Sequence, residues 1–295
     1  MHVTTPPPLA GRRVPGAPVV LPLRLAEARW RIFPPADDEL GPALYDQIDR
    51  YLGDLVVNYG RAYRPEVLRD ARPVSFAAMA AQIVGDGPSV DLVVLAHAKP
   101  DVDPRLSAGC LLTETLPGAP VAFAVSEQGR VAMFTALRVA SAYAASEPFA
   151  RVLVMAFDQR AVPWQVAERE AVPGIDAAVA LVFDRVPPGD PGGVLLWQHN
   201  GVAPDAVGDR LAADLAELAG RTNPTCPVRV LAGPGVPPDA LPPSLDRSDA
   251  VSWAGPMATS VWPAAATGAG PLVLVEYDDR FGYLSLCRLD LPDAA

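Results

Sequence analysis

Lysine is almost missing from this chain of 295 residues: Lys99 is the only one, and every other basic residue is arginine. A lysine nucleophile is thereby excluded everywhere except at position 99. Cysteine is nearly as scarce. Cys110, Cys226 and Cys287 are too few and too scattered for a disulfide framework or a zinc site, which points to a reducing, cytoplasmic setting. Basic charge falls short of acidic charge, 24 residues against 34, for a formal charge of −10. No basic stripe is left over to neutralise phosphates, so nucleic acid is not expected as a partner. Long apolar runs are lacking too, since none approaches the roughly 20 residues that a membrane span needs. The proline-rich stretch 1–18 has no apolar core of the signal-peptide kind and reads as a flexible lead-in. Neither a metal nor an organic cofactor is expected.

What the chain does have is apolar mass. Half of its residues are hydrophobic, enough for one large domain or two halves. The richest stretch is 120–158, PVAFAVSEQGRVAMFTALRVASAYAASEPFARVLVMAFD. Residues 121–125 form a short apolar run, and SEQG at 126–129 is a turn rich in helix-capping types. From 130 to 145 small and apolar residues recur at helical spacing, and only Arg130 and Arg138 carry charge. This predicts a helix buried nearly all round. The continuous run 151–157 then predicts a strand covered on both faces.

Strands and helices alternate around this centre. Strands are expected at 23–32, 91–96, 175–183, 194–198, 228–232, 271–277 and 281–289. Helices are expected from Asp37 through Leu55, from Ser75 to a stop at 85–88, at 106–116 and at 205–218. Residues after Asp158 read as a charged, exposed loop, and 186–193 as a boundary. The fold class this predicts is α/β and layered, with 19–188 as a first half and 189–295 as a shorter second half.

In this order of elements the chain resembles the thiolase-fold condensing enzymes, most closely ketoacyl-acyl-carrier-protein synthase III. The likeness is carried by DLVVLAHAKPD (91–101), LSAGCLLTETLPGAPVAF (106–123) with the helix and strand after it, GPMATSVWP (255–263) and PLVLVEYDDRFGYLSLCRL (271–289). GIDAAVALVF (174–183) is similar to a degraded form of the strand that closes the first half in that family. The resemblance implies a thiolase-like fold of two related α-β-α layered halves around the central buried helix. It also implies a cysteine at the amino end of that helix, where the dipole favours a thiolate, and a histidine and an asparagine on loops of the second half. None is in place. The nucleophile position falls at Gly129 or Arg130, the histidine position within 233–235 at Gly233, and the asparagine position at Pro256. The glycine-rich turn between the last two strands is here Asp278, Asp279 and Arg280. An arginine at a helix amino terminus opposes the dipole and would plug the site with positive charge.

On this resemblance the expected role is that of a degenerate, non-catalytic subunit resembling a chain-length factor. Its partner would be a cysteine-containing ketosynthase III-like subunit, with an acyl carrier protein, in polyketide or fatty-acyl specialised metabolism. Strand 121–125 would pair across a two-fold axis, with Phe123, Val125, Glu127 and Gln128 at the dimer interface. Two alternatives stay open. One is an acyltransferase, hydrolase or cyclase rebuilt on Ser126 or Glu127, with His97 or His199 as base. Ser126 reads more simply as a helix cap, and Glu127 as a first-turn acid. The other is a homodimeric acyl-ligand-binding or regulatory protein. Among the remaining candidates, His97, Lys99, Asp101 and Asp103 read as a polar loop rather than a metal site. Asp278 and Asp279 read as a solvated turn, Cys110 as a buried thiol, and Trp164, Trp197, Trp253 and Trp262 as core.

Overall fold

Strands that are apolar on both faces need a covering layer on each side, and the computed structural model supplies them. It describes residues 17–37, 41–58, 60–166, 172–188, 190, 192–221, 228–241 and 257–292. One sheet runs in the order β2 (Leu23–Phe33), β6 (Asp176–Arg185), β5 (Arg151–Asp158), β3 (Leu92–His97), β4 (Val121–Ser126). The other runs β1 (Val19–Leu21), β7 (Val194–His199), β10 (Tyr283–Leu291), β9 (Gly270–Asp278), β8 (Arg229–Ala232). β3 pairs in parallel with both β4 and β5, and β8 in parallel with β9; the remaining pairs are antiparallel.

The period of two along each strand sorts the side chains into layers. Leu92, Val94, Ala96, Val152, Val154 and Ala156 face the central helix α5 (Ala132–Ser146). Their neighbours Val93, Leu95, Leu153 and Met155 face outward onto α3 (Phe76–Val84) and α4 (Ala108–Thr115). In the second sheet Leu272, Leu274, Cys287 and Leu289 point at α5, whereas Val273, Val275, Leu284 and Leu286 point at α6 (Val207–Ala219). The sequence of layers is helix, sheet, helix, sheet, helix. Beside α5 in the middle layer lies the 3-10 turn Trp262–Ala266, whose Trp262 is fully buried edge-on to Phe134, ring centres 4.8 Å apart.

Local signals hold at both ends of α3. Ser75 caps α3, accepting from Ala78 N–H at 3.2 Å, and Gly85 ends it with φ of +56°. The first helix, α1 (Pro42–Val57), begins later than its acidic prelude implies, because Pro42 occupies its first position and Asp37 stays in a bend before it. A short helix, α2 (Pro65–Ala71), escapes the periodicity reading although it carries Pro65 at its start, Glu66 in the first turn and Arg69 in the last.

Two expectations for the loops are corrected. The first part of the stretch after Asp158 is not exposed: Gln159, Ala161, Val162 and Trp164 are buried, while its charged run 167–171 lies outside the described residues. Gln159 acts as a staple, its amide donating to Val74 O at 2.8 Å and Asp101 Oδ1 at 2.9 Å while its oxygen accepts from Val102 N–H at 3.1 Å. Cys110 is exposed on the outer face of α4, and the buried thiol is Cys287. Trp164, Trp197 and Trp262 are core residues, while Trp253 lies outside the described residues.

The chain changes sheets at its start. β1 pairs with β7, yet from Leu23 onward the backbone pairs with β6, so the step from one sheet to the other is made at Pro22. At the opposite end Asp158, the last residue of β5, is 2 % exposed and ties the 257–260 turn to the first sheet. Its carboxylate accepts from the backbone N–H of Met257, Ala258 and Thr259 at 2.9–3.0 Å and from Thr259 Oγ1 at 2.6 Å. Removing it would strand several buried donors together. Asp158→Ala is therefore expected to cost about 3–5 kcal/mol in urea unfolding, and a loss below about 1 kcal/mol would show the turn to be held by other means.

Candidate functional site

β4 ends at Ser126, and the next turn has two residues with left-handed backbone, Glu127 at φ +61° and Gly129 at φ +55°. The 3-10 turn Gly129–Val131 then leads directly into α5. Ser126 does not cap this helix, since neither the turn nor α5 has a side-chain cap of its own. The cap comes from across the molecule. Asp278, at the end of β9 and only 5 % exposed, accepts from Arg130 N–H at 2.9 Å, a carboxylate on the positive end of the helix dipole. Asp278 and Asp279 thus point apart, but only Asp279 is solvated.

Gly129 is held to glycine twice over. Its φ is left-handed, and a β-carbon there would run into the Asp278 carboxylate. Position 129 consequently has no room for any nucleophile. Position 130 carries an arginine whose Cδ comes within 2.8 Å of where a β-carbon on Gly235 would stand.

The charge that meets Arg130 is Glu276, two residues before Asp278 on the same strand and fully buried. Its Oε1 accepts from the backbone N–H of Gly235 and of Tyr277, each at 3.0 Å, and its Oε2 accepts from Ser260 Oγ. A β-carbon on Gly233 would collide with Glu276 and Ser260. Burial pushes the Glu276 carboxyl up to about 7, against the opposing pull of Arg130, Ser260 and the two backbone donors. The structure therefore brings Arg130 and Gly233 together, far apart in sequence, around a residue that sequence reading passed over. The signal was present: Glu276 is the one acid inside the apolar run 272–277. Pro256 lies outside the described residues.

A second polar group stands at the ends of β3 and β4. His97 and Ser126 are register partners, but the imidazole is not set to activate the hydroxyl. His97 Nδ1 donates to Lys99 O at 2.8 Å, and the ring lies 5.3 Å from Phe76. Burial lowers its pKa, with the Lys99 carbonyl and Glu127 opposing. Lys99 is pushed down to about 8, first by burial and then by Arg280 and Arg61, against Asp278 and Glu127. His199, the other candidate base, ends β7 in the second sheet and bonds to Asp214 instead. No hydrogen bond joins Ser126 to either histidine among the described residues. Among the described residues no group of three or more acids, histidines and cysteines is placed to hold a metal, and no helix is long and apolar enough to cross a membrane.

The dimer-interface candidates Phe123, Val125, Glu127 and Gln128 fall on β4 or just past it, and β4 is an edge strand. Val121 is 51 % exposed, and the Phe123 ring lies 5.0 Å from Tyr143, itself exposed on α5. One face of the first sheet's hydrogen bonding is left open there.

Glu276 offers a test in stability against pH. Its carboxyl is raised in the folded chain from an ordinary value of 4.5 to about 7, so the folded state holds the proton more tightly and stability falls as pH rises between those values. Glu276→Gln, which cannot ionise, is expected to gain on the wild type by on the order of 3 kcal/mol as urea unfolding is moved from below pH 4.5 to above pH 7. Parallel pH profiles for the two proteins would refute the buried titration.

No protein-family model matches the chain, and no curated protein matches it. Solved structures do. Ketoacyl synthase III (FabH) from Pseudomonas aeruginosa PAO1 superposes with a TM-score of 0.55 and 13% identity, over 95% of this chain and 99% of its own. The Aquifex aeolicus VF5 3-oxoacyl-[acyl-carrier-protein] synthase III gives 0.58 and 14%, over 91% and 99%. OleA from Xanthomonas campestris, with bound lauric acid and lauroyl-CoA, gives 0.59 and 11%, over 91% and 98%. At such identities the likeness is one of fold, and the chain has the thiolase-like fold of these condensing enzymes.

Proposed function

We propose that this protein is a non-catalytic, ketosynthase III-like subunit that pairs through β4 with an active, cysteine-containing homologue. The observation that carries this reading is the closed amino end of α5. Where a condensing enzyme of this fold would need a thiolate and space for an acyl group, Asp278 abuts Gly129, and Glu276 and Ser260 abut Gly233. Each carboxylate is also tied to backbone donors, so opening the space would leave buried N–H groups unpaired. Chemistry at that point is blocked by packing as well as by residue identity.

The remaining features of the fold support retention for shape. The sheet edge at β4 is exposed and mostly apolar, the kind of edge that either pairs with another strand or must be protected from doing so. Pairing there would bring Glu127 and Gln128 beside the partner. In this role the subunit would shape the partner's acyl pocket during polyketide or fatty-acyl assembly on an acyl carrier protein.

The reading is tested by co-expression with a tagged, cysteine-containing ketosynthase III-like protein encoded nearby. The expected result is co-purification of the two chains, lost on Ala124→Arg, which places a charge on the exposed edge and leaves the folded core intact. Peptide mapping after incubation with acyl-thioesters is expected to find acyl groups on the partner's cysteine and none on Ser126. A stable homodimer of this chain that becomes acylated at Ser126 and turns over would instead establish the rebuilt acyltransferase or hydrolase.

A further inference from the structure

On the far side of the second sheet, away from the closed site, a cleft of about 810 Å³ opens between the end of β7 and α6. This is within the range of small-molecule sites. At its base lies a buried pair. α6 buries Val207, Leu211, Asp214 and Leu218 at helical spacing, so an acid interrupts its apolar stripe. Asp214 is 3 % exposed, and its Oδ2 lies 2.7 Å from Nε2 of His199, whose side chain is nine-tenths buried. The carboxyl holds the proton on Nε2 and fixes the ring, as an orienting acid does.

The other ring nitrogen is what makes this more than a structural pair. His199 lines the cleft, and its Nδ1 makes no hydrogen bond to a described residue. Nor is that nitrogen one of the sealed and orphaned ones, as Trp262 Nε1 is. A buried ring thus presents one fixed, solvent-reached acceptor to the cleft. The cleft is also lined by Arg210, whose guanidinium has no ion pair among the described residues, by Asp209 beside it, and by the apolar Val202, Ala203 and Ala213.

We propose that this cleft binds a small aliphatic hydroxy acid. The Arg210 fork takes the carboxylate, His199 Nδ1 accepts from the hydroxyl, and the alkyl carbons lie on the alanines and Val202. None of the cleft's residues belongs to β4, to the turn before α5 or to β9, although Val202 O accepts from the Tyr277 hydroxyl at 2.8 Å.

The chain has three histidines, His2, His97 and His199, which makes imidazole NMR on the whole protein a direct readout. Titration with 3-hydroxybutyrate is expected to shift one resonance saturably, the one lost in His199→Gln, while that of His97 stays put. Arg210→Ala, a surface change that keeps the fold, is expected to weaken this binding by about tenfold or more. Three results would overturn the proposal: no saturable shift, equal affinity in Arg210→Ala, or the same shift produced by inorganic phosphate at equal concentration.

Discussion

A helix almost without a polar face can persist in water only if nearly every side of it is covered, and α5 is such a helix up to its last turn, where Tyr143 is exposed. Its demand for two covering sheets sets the layer order, forces the strands on either side to be apolar on both faces, and requires a second set of helices outside them. It also creates a difficulty at its own amino end. The first N–H groups of a buried helix have no water to turn to, and no residue of the preceding turn satisfies them with its side chain. Asp278 does so from a different sheet. The coupling between sheets is therefore ionic and directional as well as hydrophobic, and Asp158 repeats the same device at the end of β5.

Much of this was legible in the sequence, for a physical reason. Continuous runs such as 151–157 and 92–96 arise only where both faces are buried, and cap residues such as Ser75 and Gly85 speak through local geometry. What escaped was non-local. That Asp278 caps a helix 148 residues away depends on how β9 docks, and nothing in DDR announces it. Gln159 reads as part of a polar loop until its three partners are known. Ser126 has the right residue type for a cap but sits one turn too early, because Glu127 and Gly129 adopt left-handed backbone before the helix begins. Glu276 and Asp214 were visible as acids in apolar patterns, yet the groups that tolerate them, Ser260 with two backbone amides in one case and His199 in the other, come together only in the fold.

At the amino end of α5 the packing is closed by groups fitted to one another. The space is filled by carboxylates from β9 that hold Gly129 and Gly233 to glycine, while Gly235 is held to glycine first by the backbone carbonyl of Tyr277. These positions therefore form a set, and a side chain at any one of the three glycines would clash with the groups packed against it. Fully buried Glu276 can stay at such a place because its oxygens are all met and because it can remain protonated near neutrality.

The passage of the backbone from one sheet to the other at Pro22 has a topological consequence. The edge strand of the carboxy-terminal sheet is donated by β1, and two residues after its end the chain enters the amino-terminal sheet. The two layered units are laced together at this point like an overlapping seam. A genetic cut in the 186–193 segment would separate β7 from its neighbour β1, so the carboxy-terminal piece could not be exchanged between relatives as a free-standing module. Recombination that respects this architecture has to carry the first strand along with the last.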